Sequence, residues 1–100
     1  MKSELKRLRE ILEGWLQYRL VDPDEHSEAT DILESVQRYV ESHPLSDYAT
    51  GKLAALHEEL HDIYYRSGKR AKLVASLPTL LRDAIYHTTV VEASLDATNE

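Results

Sequence analysis

The chain contains no cysteine, and its 100 residues include only three glycines, three prolines, one methionine and one tryptophan. Without cysteine, disulfides, thiolate catalysis and cysteine-based zinc or iron–sulfur sites are excluded, so any metal would rest on histidine and carboxylate. Few glycines and prolines leave little room for the many tight turns of a sandwich or barrel, which favours helices. No run approaches the roughly 20 apolar residues that a membrane span needs, and Met1-Lys2-Ser3-Glu4 lacks the apolar stretch of a signal peptide. No membrane contact is expected and the location is read as cytoplasmic. A hydrophobic content of 42% with 30% charged residues belongs to a folded domain, and 100 residues suffice for one core. The net charge of −6 argues against wholesale coating of nucleic acid, which depends on neutralising phosphates, although a local basic patch could still bind it.

Apolar spacing divides the chain into four amphipathic segments. Ser3 is placed to cap a first helix bearing Leu5, Leu8, Leu12 and Trp15, which Asp22-Pro23 ends by about Leu20. Asp22 then caps a second helix, with Pro23 in its first turn and Glu25 at the third position reaching back as in a capping box. Ala29, Leu33 or Ile32, Val36 and Val40 form its apolar stripe, and His43-Pro44 stops it. Ser46 starts a third helix carrying Ala49, Leu53, Leu56, Leu60 and Ile63, with Gly68 as the left-handed residue that closes it. Residues 69–75 read as a short helix or turn. Pro78 opens a last helix with Leu77, Leu81, Ala84, Thr88, Val91 and Leu95 on one side, where the β-branched run His87-Thr88-Thr89-Val90-Val91 predicts fraying. The fold class is therefore all-α, a four-helix bundle or a closely related compact antiparallel array, as one domain over residues 1–96 with 97–100 as a disordered tail.

Four features carry candidate chemistry. His57-Glu58-Glu59-Leu60-His61 has the H-E-x-x-H spelling of zinc peptidases: two imidazoles a turn apart with Glu58 as the would-be base. At about 100° per residue, His57 flanks the stripe of this helix, His61 faces water and Glu58 lies nearly opposite the core. With no third ligand and no strand for a substrate, the polar side of a helix explains the motif more simply, so no cofactor is expected. Arg82-Asp83-Ala84-Ile85-Tyr86-His87 is an R-x4-H motif near the chain end, and it resembles the signature of HEPN-type ribonucleases. That resemblance covers about a dozen residues. It implies that Arg82 binds phosphate, that His87 moves protons in metal-independent RNA cleavage, and that Asp83 orients them in a dimer cleft. The chain is short for that family, and Thr88-Thr89 stand where many members carry an aromatic residue. Residues five apart also diverge by about 140° on a helix, which favours a surface arginine and a helix-flank histidine.

The stretch from Tyr64 to Lys72 gathers Tyr64, Tyr65, Arg66, Lys69, Arg70 and Lys72 at a helix corner. Such a group can stack and hold single-stranded nucleic acid, or simply complement a helix dipole, but its two large aromatics best suit contact with a protein partner. Asp22, Asp24, Glu25, Glu28, Asp31 and Glu34 form an acidic stretch, either a solvated face with favourable helix-start charges or a surface that pairs with a basic partner or mimics nucleic acid. The expected function is a small interaction or regulatory module, such as an adaptor, inhibitor or accessory subunit, without its own chemistry. Its partner would be a protein, a second copy of the chain included, with nucleic acid less favoured. The alternatives are an RNA-cleaving site at Arg82, Asp83 and His87 and a zinc site at His57 and His61.

Overall fold

A computed structural model describes residues 2–67 and 77–98, with side chains to Tyr65 in the first stretch and to Leu95 in the second. Four helices, α1 (Lys2–Tyr18), α2 (Pro23–Ser42), α3 (Asp47–Ser67) and α4 (Leu77–Thr98), pack on one another, and there is no strand among the described residues. The Cα radius of gyration is 13.1 Å, close to the roughly 13 Å typical of a folded 100-residue chain.

The capping residues act as their chemistry dictates, with two exceptions. The Asp22 carboxylate accepts from the Asp24 N–H at 3.3 Å, and Ser46 Oγ accepts from the Ala49 N–H at 3.2 Å. His43 closes α2, its N–H donating to the Tyr39 carbonyl at 3.0 Å while its ring stacks on Tyr39 at 4.2 Å. Ser3, expected as a cap, instead lies within α1. Glu25 does not complete a capping box, because its carboxylate accepts from the indole N–H of Trp15 at 3.1 Å and so ties α2 to α1. A buried indole N–H without an acceptor costs more than an exposed backbone N–H that water can serve, which explains where Glu25 turns. Arg19 ends α1 with φ of 55°, a left-handed conformation that glycine usually supplies.

The core is built from one stripe per helix. Leu5, Leu8, Ile11, Leu12 and Trp15 of α1 meet Ala29, Ile32, Leu33 and Val36 of α2, Leu53, Leu56, Leu60 and Ile63 of α3, and Leu77, Leu81, Ala84, Val91 and Leu95 of α4. Both Ile32 and Leu33 are buried, so α2 uses each of the two alternatives, while Val40 packs only partly on the cluster. The β-branched run does not interrupt α4. Thr88 is fully buried, its hydroxyl donating to the Ala84 carbonyl at 2.8 Å, Thr89 bonds Ile85 likewise at 3.0 Å, and the helix runs to Thr98. Burial of Thr88 and Val91 against the core outweighs the few tenths of a kcal/mol that β-branching costs a helix. Gly68 and residues 69–75, including the predicted helix or turn, lie outside the described residues, as do the last two residues of the chain.

Ion pairs fasten the outside. Arg7 grips Glu28 with two bonds, Nε to Oε2 at 2.7 Å and Nη2 to Oε1 at 3.0 Å, linking α1 to α2. The guanidinium's hydrogen bond holds the Glu28 carboxyl below its usual range and raises the arginine in turn. Arg9 reaches Glu92 of α4 at 2.8 Å. Part of the acidic stretch in α2 is therefore spent inside the molecule.

Candidate recognition cleft between the second and third helices

The short connection at residues 43–46 turns α3 back along α2, and the two helices part enough to leave a cleft of about 320 Å³. His26, Thr30, Leu33 and Glu34 line it from α2, and His57, Leu60 and His61 from α3. A more open hollow on the other side of the ridge formed by His57 and His61 is lined also by Glu58 and Asp62. The helix rotation is the one that the apolar spacing demands: His57 is half-buried, and Glu58 and His61 are exposed.

His26 anchors one wall. Its Nε2 lies 3.0 Å from the Leu60 carbonyl, bridging α2 to the backbone of α3, and its ring stacks on Trp15 at 6.2 Å and meets Tyr64 at 5.0 Å. Tyr64 touches Tyr65 edge-on at 6.1 Å, and Tyr65 leans on His61 at 4.6 Å. A continuous series of rings thus runs from the buried Trp15 to the surface, where Tyr64 and Tyr65 remain 57% and 69% exposed. His57 Nε2 is the one buried side-chain N or O atom among the described residues without a hydrogen-bond partner.

Of the interaction residues expected from sequence, the structure places Tyr64 and Tyr65 at the end of this cleft. The side chain of Arg66 and all of Lys69, Arg70 and Lys72 lie outside the described residues. Among the described side chains, the charged groups lining the two hollows are Glu34, Glu58 and Asp62, all acidic. The expected zinc pair His57 and His61 does share a ridge, but no three His, Asp or Glu side chains among the described residues are grouped so as to hold a metal ion.

Arg82 and Asp83 are exposed on α4, whereas His87 turns inward and its Nδ1 meets Glu59 Oε1 at 2.7 Å, both groups mostly buried. Burial raises the Glu59 carboxyl above its ordinary range, against the opposing pull of His87. The R-x4-H motif is therefore split, its histidine committed to a bond between α3 and α4 and its arginine facing outward. Sequence reading missed this pair, as it missed His26, because neither has a partner at helical spacing. No helix among the described residues is long and apolar enough to cross a membrane. No protein-family model, curated protein or solved structure matches this chain, so the cleft's own chemistry is the guide to what it does.

Proposed function

We propose that the chain is a small cytoplasmic interaction module that acts by binding another protein, with no reaction of its own, and that its recognition face is the cleft between α2 and α3 together with Tyr64 and Tyr65. The observation that carries this reading is the exposed tyrosine pair held against His26 and His61 at the end of the cleft. Tyrosine supplies large contact area with few rotors to freeze and a hydroxyl for the wet rim, which is why it is enriched where proteins meet. Packing on histidine rings fixes both side chains before a partner arrives, so less ordering entropy is lost on binding.

Capture from native lysate tests the reading. Tyr65→Ala should lose a partner that the wild-type chain retains, while Tyr48→Ala, about 25 Å away along the same helix, should keep it. Equal capture by all three proteins would refute the assignment of this face. The rival reading, metal-independent RNA cleavage by Arg82 and His87, draws support from the carboxylate that fixes the His87 ring. It requires chelator-resistant cleavage of RNA that disappears in both Arg82→Ala and His87→Ala.

A further inference from the structure

We infer that the cleft between α2 and α3 is an anchor site for a guanidinium group, so that the partner presents an arginine side chain from a basic segment. The inference rests on the interaction reading above and adds the partner's chemistry. Four cations follow Tyr65 in the sequence, and their side chains lie outside the described residues. The charged groups on the described walls are acidic. Glu34 sits in the cleft, Glu58 and Asp62 line the adjoining hollow, and none of the three has an ion pair among the described side chains. A partner that covers these carboxylates without bringing cations leaves them desolvated and unpaired, which is costly. A basic one converts the same burial into paired charge.

Three further observations favour arginine. Leu33 and Leu60 line the cleft, offering apolar surface for the methylene stem of a long cationic side chain. Tyr65, which packs on His61 at 4.6 Å beside the cleft, keeps an exposed ring on which a planar delocalised cation can stack while it donates. The buried Nε2 of His57 lacks a partner, and with the ring proton on Nδ1 that nitrogen accepts a hydrogen bond. The five N–H donors of a guanidinium match a wall that offers both the Glu34 carboxylate and an imidazole acceptor.

The test is a heteronuclear NMR titration of the full chain, following the amide and imidazole signals. The probes are N-acetyl-arginine methylamide, its uncharged citrulline isostere and the corresponding glutamate derivative. The expected result is saturable movement of the His57, His61 and Leu60 signals with the arginine probe alone, weakened about tenfold in Glu34→Gln, an exposed position whose substitution leaves the spectrum dispersed. No saturable movement, an equal response to citrulline, or a response to the glutamate probe overturns the inference. An unchanged response in Glu34→Gln overturns it too. Its failure is separable from failure of the interaction reading: partner capture that still depends on Tyr65 while the arginine probe is ignored removes only the guanidinium.

Discussion

Two glycines sit inside helices where no described residue packs against them. A Cβ built on Gly14 of α1 or Gly51 of α3 meets no atom of the described residues within 4 Å outside its own helix backbone and chain neighbours. Neither residue has the positive φ that would exclude a side chain. Each therefore carries the usual penalty of glycine in a helix, about 0.8–1.0 kcal/mol against alanine, arising from the extra freedom it gives the unfolded chain. The sites lie on different helices, so their effects should add, and Gly14→Ala with Gly51→Ala should raise stability by about 1.5–2 kcal/mol. For a domain of this size that is a rise in melting temperature of roughly 8–12 °C. Circular dichroism melts with urea titrations at one pH measure both quantities, and an unchanged urea slope would show that the denatured state had not shifted. A double variant that melts at or below the wild-type temperature would refute the reasoning and imply that close approach by another molecule uses the bare backbone.

Other perturbations test other parts of the structure. Leu56→Ala, at a position 2% exposed, should cost about 2–5 kcal/mol in urea unfolding, whereas Glu58→Ala should stay near neutral; the reverse order would mean that α3 is rotated. Arg19→Gly should stabilise by about 0.5–1 kcal/mol in thermal melts, since glycine accepts the φ of 55° without strain, and a loss of stability would contradict that account. Because burial lifts the Glu59 carboxyl in the folded state, folding takes up protons just above the ordinary glutamate range, so wild type should lose stability relative to Glu59→Gln as pH rises from about 4.5 toward neutrality. A relative gain over that range would show that the bond to His87 outweighs burial. Purified protein should hold no stoichiometric zinc and melt unchanged with chelator; one zinc per chain, lost in His57→Ala, would restore the metal reading of the ridge.

The parts legible in the sequence were those governed by periodicity and local capping. The α4 stripe from Leu77 to Leu95 is buried at each predicted position, Thr88 included, because three-and-four spacing fixes which side of a helix faces inward whatever lies opposite. Asp22-Pro23 marked the start of α2 for an equally local reason. Periodicity gives a direction but not a partner, and the misses follow from that. His26 finds the Leu60 carbonyl 34 residues away, and His87 finds Glu59 across 28 residues. Glu25 left its cap for Trp15, since tertiary contact outbid a local bond. At the Tyr64 corner the two tyrosines are exposed, while the side chains of the cations expected beside them lie outside the described residues. The acidic groups come from α2 and from the turn of α3 before the tyrosines, whereas the string of cations follows them in sequence.

The ring series that begins at Trp15 gives the molecule a built-in optical probe. Trp15 is the only tryptophan, so the chain's indole fluorescence comes from one site, shielded from solvent and stacked on a histidine that lines the cleft. Any occupant that shifts the His26 ring alters the quenching of that single emitter. Filling of the cleft should therefore be visible in unlabelled protein as a change in emission at 295 nm excitation, about the wavelength at which tyrosine absorption falls away and indole still absorbs.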